Sequence, residues 1–125
     1  KVRPYTQGLD QLVYKKPNLI ICSSLKDAMC LRQFNFNVEV IAPDSENTMI
    51  KPYVINNLKN KFKKIITLFD NDQAGHTAIN KYLLHYNIHG TYLELEKDLS
   101  DAVKKHGINK IKKTIAPLLS KTIKK

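Results

Sequence analysis

Two aspartates one residue apart, Asp70 and Asp72, have the clearest potential for chemistry in this sequence of 125 residues. They follow residues 65–69, Ile-Ile-Thr-Leu-Phe, an apolar and β-branched run that predicts a strand buried on both faces, as in a parallel sheet. Residues 73–84 then have helical apolar spacing. Because neighbouring carboxylates repel each other, a divalent cation is the commonest reason for such a pair. A second interpretation stays open: Asp72 only caps the helix, and Asp70 is a solvated turn residue.

The apolar spacing along the rest of the chain predicts four strands with helices between them. The strands are Leu19 to Cys22, Val38 to Ala42, Ile65 to Phe69 and Gly90 to Leu95, the last alternating and therefore at an edge. The first predicted helix opens at Ser24. The other four cover Val54 to Phe62, Gln73 to about Tyr86, Ala102 to His106 and Ile108 to Ile123. This order, with short connections, predicts an α/β fold: a four-stranded parallel sheet with helices on both faces.

The carboxyl ends of parallel strands lie at one edge of a sheet, so the polar residues that follow the strands should meet there. These residues are Ser23 and Asp27, Asp44 and Glu46, Asp70 and Asp72, and Asp98 and Asp101. Solvation alone is a poor explanation for a basic chain that gathers its carboxylates at one edge. Carboxylate oxygens suit a hard cation, and the pattern therefore predicts a site for Mg²⁺ or Mn²⁺.

The charge of the chain points to a polyanion partner. The net charge is +10, with five lysines and no acid from Asn47 to Phe69, and eight lysines and no acid from Ala102 to Lys125. Such a surface suits nucleic acid first and a membrane surface second. Alternatively, the chain comes from a lysine-rich proteome and its lysines only fill solvated surface. The lysines expected to contact single-stranded nucleic acid are Lys59, Lys61, Lys63 and Lys64.

Length and composition set further limits on the class of protein. An apolar content of 42% and 125 residues predict one globular domain with a real core. No apolar run approaches a membrane span, no signal peptide is visible, and the chain begins at Lys1, which suggests a piece of a longer, cytoplasmic protein. Cys22 and Cys30 have no zinc-ligand spacing and are expected to be reduced core thiols.

Other families with acidic turns fit the residues poorly. Asp70 to Gly75 matches the opening of an EF-hand loop, but the twelfth position is Lys81 and a strand precedes the loop. A receiver domain needs an acidic pair after its first strand, where Cys22-Ser23-Ser24 stands here. A haloacid-dehalogenase-like phosphatase needs paired aspartates at that same place. No Gly-rich phosphate loop is present.

The spaced acidic turns resemble the Toprim domain of bacterial-type primases, topoisomerases of types IA and II, and recombination and nuclease proteins. Phe69-Asp70-Asn71-Asp72-Gln73-Ala74-Gly75 is similar to the family's Asp-x-Asp turn with its following glycine. Lys97-Asp98-Leu99-Ser100-Asp101 is similar to the Lys-Asp-x-x-Asp turn found in the primase branch. The resemblance covers about residues 17–107, so we expect a Toprim domain there, preceded by an irregular lead-in at 1–16 and followed by a basic helix at 108–125.

The first element of the family departs from its pattern here. Asp27 is retained, but Ser23 stands where the family has a glutamate and Ser24 where it has a glycine. The Ser-Leu-Lys-Asp form is similar to Toprim domains of phage and mobile-element primases and primase–helicases. Those domains also tend to carry an acidic residue after the second strand, which corresponds to Glu46 in this chain. We therefore expect Glu46 to replace the missing glutamate; the alternative is an exposed loop residue without a role.

The resemblance implies Mg²⁺-dependent or Mn²⁺-dependent nucleotidyl transfer, making RNA primers on a single-stranded DNA template. In that role Asp70 and Asp72 are the principal metal ligands, and Glu46 and Lys97 take part in catalysis. Asp27, Asp98 and Asp101 are further candidate ligands, while Lys26 and Lys97 either contact phosphates or are solvated. The expected partners are template DNA, nucleotides, and other domains of a parent primase or a helicase. Two alternatives remain: a Toprim domain that cleaves phosphodiesters, and a degenerate one that serves as a scaffold.

Overall fold

The computed structural model of the chain describes residues 16–43 and 49–125. Within these ranges the strands are β1 (Asn18–Cys22), β2 (Val38–Ile41), β3 (Lys64–Leu68) and β4 (Gly90–Thr91). The helices are α1 (Leu25–Arg32), α2 (Pro52–Lys61), α3 (Gln73–Tyr86), α4 (Leu99–His106) and α5 (Ile108–Ile123). All strand pairs are parallel and the order is β2-β1-β3-β4, which confirms the predicted α/β fold with β4 at an edge. Asp44, Glu46 and residues 1–15 of the lead-in lie outside the described residues.

Two apolar layers, one on each face of the sheet, hold the fold together. Alternate residues of β1 point to opposite faces: Leu19 and Ile21 belong to one cluster, Ile20 and Cys22 to the other. α2 and α3 cover the Leu19 face, and α1, α4 and α5 cover the Ile20 face. Because each residue of the strand is buried on one side or the other, the continuous apolar runs are explained.

The fourth strand is much shorter than predicted. It ends at Thr91, whereas the alternation indicated a strand up to Leu95. The two leucines beyond Thr91 do not share a buried strand face, because Leu93 is buried in the core and Leu95 is exposed. After a last ladder hydrogen bond from Phe69 N to the Thr91 carbonyl, the chain leaves the sheet and crosses its carboxyl end. This departure brings residues 94–98 next to the turn that follows β3.

Two helices begin earlier than expected. α2 starts at Pro52 instead of Val54, because proline is well suited to the first helical position. α4 starts at Leu99 instead of Ala102, because Asp98 caps it, so Asp101 lies in its first turn. α5 matches its predicted bounds and buries Ile111, Ile115 and Leu119 in the Ile20-face core.

Two expectations about the class of protein can be compared with the structure. Both cysteines are free thiols, Cys22 fully buried and Cys30 partly so, as expected. Across residues 16–43 and 49–125, no helix combines the length and the apolar character that a membrane crossing requires.

Candidate active site

The turn between β3 and α3 carries Asp70 and Asp72 at the carboxyl end of the sheet. Asp72 caps α3: its Oδ1 accepts a hydrogen bond from Gly75 N at 2.7 Å. The helix-cap interpretation of Asp72 is therefore correct for one of its two carboxylate oxygens. The other, Oδ2, lies 3.7 Å from Lys97 Nζ. Because the Lys97 side chain is 61% exposed, this ion pair contributes little stability and leaves the ammonium available to a ligand.

Asn71, between the two aspartates, joins their turn to the segment that crosses the sheet. Its backbone N donates to the Lys97 carbonyl at 2.6 Å, and its Nδ2 lies 3.5 Å from the Glu94 carbonyl. Its Oδ1 lies 2.9 Å from His76 Nε2, and the His76 ring packs on Tyr92 with 4.5 Å between centroids. The sequence reasoning missed both Asn71 and His76. A polar residue between two metal-ligand candidates, and a histidine one turn into the following helix, were the available signals.

A second set of hydrogen bonds holds the segment to α4. The Glu96 carboxylate accepts from His106 Nε2 at 2.9 Å and from Lys105 Nζ at 3.1 Å. The hydrogen bond from His106, followed by that from Lys105, lowers the pKa of Glu96 below its ordinary value. The crossing segment is thus held to the β3–α3 turn through Asn71, which contacts Glu94 and Lys97, and to the end of α4 through Glu96, which lies between them.

Asp98 and Asp27 meet at the start of α4. Asp98 Oδ1 accepts from Asp101 N at 2.8 Å and from Ser100 Oγ at 3.1 Å, which caps the helix. Asp27, on α1, is only 5% exposed, and its Oδ1 accepts from Ser100 N at 3.1 Å. Burial raises the pKa of Asp27, and the nearby Asp98 charge raises it further. Asp27 therefore lies below the surface and joins α1 to α4.

The position of Asp27 leads to a prediction about stability in metal-free protein. Asp27→Asn keeps an oxygen for Ser100 N and removes the buried charge, whereas Asp27→Ala leaves that N–H unpaired, at a cost of about 1–3 kcal/mol. Because the folded pKa of Asp27 is raised, its stability contribution is complete below the ordinary value and is lost as pH rises through the folded value. In urea unfolding with a chelator, the free energy of unfolding of Asp27→Asn relative to that of the wild type should be higher at pH 7 than at pH 4. A constant difference between the two proteins would contradict this.

A small recess collects several of the predicted site residues. Asp27, Asp70, Lys97 and Asp98 line it over a floor of Leu68, Phe69, Leu93, Leu99 and Ile115. Its volume is about 10 Å³, of the order of one water molecule. Three of the five predicted metal ligands thus share one recess with Lys97. Asp72 is connected to it through Lys97, and Asp101 is not among the residues that line it.

The residues of the recess fit a divalent metal ion in type, though they do not form a complete site. Carboxylate oxygens are the protein ligands that Mg²⁺ prefers. Within the described residues, however, no three histidine, cysteine or carboxylate side chains are placed together so that they could hold a metal ion. Mg²⁺ usually keeps several waters and takes further ligands from substrate phosphates, so a partial set of carboxylates is consistent with its usual coordination in proteins.

The first element of the resemblance is the turn after β1. Ser23 is 6% exposed, and its Oγ accepts a hydrogen bond from Asp70 N at 2.8 Å. Ser24 caps α1 by accepting from Asp27 N at 3.3 Å, the cap that the sequence predicted. Ser23 therefore contacts the backbone of the candidate site but brings no carboxylate to it. Glu46, the expected replacement, lies outside the described residues and its role stays a prediction.

The predicted nucleic-acid lysines do not surround the recess. Lys64 is the first residue of β3 and Asp70 lies two residues beyond its last, so they are about 20 Å apart at about 3.3 Å per residue. Lys59 Nζ donates to the Tyr86 carbonyl, and Lys64 Nζ to the Lys125 carbonyl at 3.0 Å, which brings the end of α5 to the amino edge of the sheet. Lys26 is exposed in the first turn of α1, at the carboxyl edge.

The Toprim-like family matches residues 20–103 of the chain, more than half of its length. Together with the parallel sheet and the two acidic turns at its carboxyl edge, this match shows that the chain belongs to the Toprim-like family. No curated protein matches the chain.

Solved structures with the same fold include primases. The zinc-binding and RNA polymerase domains of the Aquifex aeolicus primase are 23% identical with a TM-score of 0.61, over 81% of this chain and 26% of that one. The primase fragment of the bacteriophage T7 primase-helicase is 16% identical with a TM-score of 0.63, over 80% of this chain and 44% of that one. The chain therefore spans about a quarter to a half of the primase chains it resembles. At these identities the likeness shows the fold alone.

Proposed function

We propose that this chain is the Toprim catalytic module of a DNA primase or primase–helicase, which joins ribonucleotides into primers on single-stranded DNA. The observation that carries the proposal is the recess in which Asp70 and Asp98 come together beside Lys97. Family membership and the primase fold of the neighbours support it. The proposal includes the expected partners: template DNA, nucleotides and the other domains of the parent protein.

In this function Asp70 and Asp98, with Asp72 beside them, would hold Mg²⁺ or Mn²⁺. Bound metal supplies a Lewis acid that stabilises the charge developing on the phosphate and the leaving group. The chain's own residues provide position and charge. Asn71 keeps the Asp70–Asp72 turn against the segment carrying Lys97 and Asp98, and the exposed Lys97 ammonium can contact a phosphate that approaches the edge.

The test of this function is template-directed synthesis by the parent protein. With single-stranded DNA, ribonucleotides and Mg²⁺ or Mn²⁺, we expect short RNA products that a chelator abolishes. Incubation with labelled DNA alone provides the second readout. Cleaved DNA in place of RNA products would assign a phosphodiester-cleaving activity and overturn the proposal.

A degenerate scaffold is the second candidate, and the lack of a carboxylate at Ser23 favours it. With a hydroxyl in place of the glutamate, Ser23 in the turn after β1 adds no carboxylate to the site. A scaffold would bind nucleic acid or a partner domain without binding Mn²⁺. Titration with Mn²⁺ therefore separates the two candidates.

Nucleic-acid binding by the lysines at the amino edge gives a further prediction. Among the described residues, Lys59, Lys63 and Lys64 form no ion pair with an Asp or Glu side chain. Single-strand binding weakens with salt, and the slope of log K against log salt concentration measures the phosphate contacts. Replacing Lys59, Lys61, Lys63 and Lys64 with Gln should lower the magnitude of this slope by about two to three, since each lost contact removes about 0.7. The measurement is fluorescence anisotropy of a labelled oligonucleotide across a salt series.

The control for that experiment removes the same charge elsewhere. Lys81, Lys104, Lys110 and Lys113 are exposed, and their replacement with Gln should change the slope much less. Equal slopes for the two variants would mean that binding follows net charge and that the amino edge is only a solvated surface.

A further inference from the structure

Ser23 has a contact that its place in the family pattern does not predict. Its Oγ lies 2.8 Å from Asp70 N, across the boundary between the turn after β1 and the turn after β3. Ser23 is 6% exposed and Asp70 is half-buried, so the hydrogen bond is partly shielded from water. The contact joins residues 47 positions apart in the chain, at the candidate site itself.

The end of the β1–β3 ladder explains why Asp70 needs this partner. The last register pair is Cys22 with Leu68, after which β1 turns away through Ser24 into α1. The Asp70 N–H therefore lies past the last residue pair of the β1–β3 ladder, where β1 has no further carbonyl to accept it. A buried N–H without an acceptor is costly, and the Ser23 hydroxyl takes the place of the missing backbone carbonyl.

The chemical type of the residue matters because of the neighbouring charges. Asp27, Asp70 and Asp98 already share the recess beside this turn. A neutral hydroxyl accepts the Asp70 N–H without adding another negative charge to that group.

We propose that Ser23 is a positioning residue, which holds the backbone of Asp70 so that its carboxylate faces the recess. The inference rests on the proposed function for its metal readout, but the hydrogen bond can be tested without metal. If Ser23 had no role of its own, removal of its hydroxyl would change neither the Asp70 backbone nor metal binding.

The first test is amide hydrogen exchange in the metal-free chain. Ser23→Ala should raise the exchange rate of the Asp70 amide at least about tenfold, because its shielded partner is lost. Ser24→Ala is the matched control: it removes a hydroxyl one residue later, which caps α1 and does not bond Asp70. That variant should lose stability and keep slow exchange at Asp70. Unchanged exchange in Ser23→Ala, or equal acceleration in both variants, would overturn the proposal.

The second test is Mn²⁺ affinity, measured by paramagnetic broadening at equal folded fractions. Ser23→Ala should bind Mn²⁺ roughly fivefold more weakly, the effect of about one hydrogen bond on the position of a ligand. Ser23→Thr keeps the hydroxyl and should restore affinity to within twofold, whereas Ser24→Ala should match the wild type. Equal affinity of Ser23→Ala and wild type would overturn the positioning role. Absence of Mn²⁺ binding by the wild type would instead overturn the proposed function, and the exchange experiment would still decide the role of Ser23.

Discussion

Asp70→Asn is expected to weaken Mn²⁺ binding by at least about 100-fold. Loss of a residue that only supports a metal ligand already lowers metal affinity by up to about 100-fold, and a direct ligand should matter at least as much. The amide keeps the shape of the side chain but removes the negative charge that faces the recess. The same change should abolish primer synthesis by the parent protein while leaving its affinity for DNA nearly unchanged. Titration of Mn²⁺ by paramagnetic broadening measures the first effect, and ribonucleotide incorporation the second.

Asp101→Asn is the control for this prediction. Asp101 is also partly buried at the carboxyl edge and was a predicted ligand, but it is not among the residues that line the recess. We expect its replacement to change Mn²⁺ affinity by less than about threefold, the scale of a weakened surface charge. Equal broadening in the wild type and Asp70→Asn would remove Asp70 from the metal assignment.

Gly75→Ala is expected to have the largest effect on stability, about 3 kcal/mol or more. A Cβ at Gly75 would lie 1.9 Å from the Asp70 carbonyl oxygen and 2.8 Å from its carbonyl carbon. Both are backbone atoms of the turn that carries the candidate site, so the clash is relieved only if the turn moves. Urea unfolding measures the loss, and Mn²⁺ titration of the remaining folded protein should show weaker binding.

Gly107→Ala provides the matched comparison. Gly107 has a φ of +88°, and no atom lies within 4 Å of the place where its Cβ would be. Its replacement should therefore cost only the strain of a positive-φ, extended backbone (ψ +153°) that is almost confined to glycine, about 1–3 kcal/mol. If Gly75→Ala costs no more than Gly107→Ala, the close contact with Asp70 does not constrain the turn.

The strands and the acidic turns could be predicted because they depend on local patterns. Continuous apolar runs mark strands covered on both faces, and Asp72 and Asp98 occur where helix caps are needed. The fourth strand was predicted too long because Leu93 and Leu95 alternate with polar residues, although only Leu93 is buried. Burial of Leu93 against α4 and α5, a contact between distant parts of the chain, produced the same pattern as a strand.

The lysines show a second limit of reasoning from sequence. Their grouping along the chain predicted a basic surface. The distance of that surface from the carboxylates did not follow from the grouping, because it depends on strand direction. Lys64 begins β3 and Asp70 follows it, so a parallel sheet necessarily separates them by the length of the strand. Lys26, in contrast, comes to the carboxyl edge because α1 starts there.

The sequence by itself determined the fold class, the order of elements and the edge at which the carboxylates gather, since each follows from short-range periodicity and the geometry of parallel sheets. The tertiary structure decided how those carboxylates are used. It placed Asp27 under the surface as a link to Ser100, brought Asp70 and Asp98 into one recess with Lys97, and paired Ser23 with the Asp70 backbone. The Ser23–Asp70 and Asp27–Ser100 contacts join residues 47 and 73 positions apart. Their hydrogen bonds form only when strands and helices pack, and no local pattern records which partner each polar group will have.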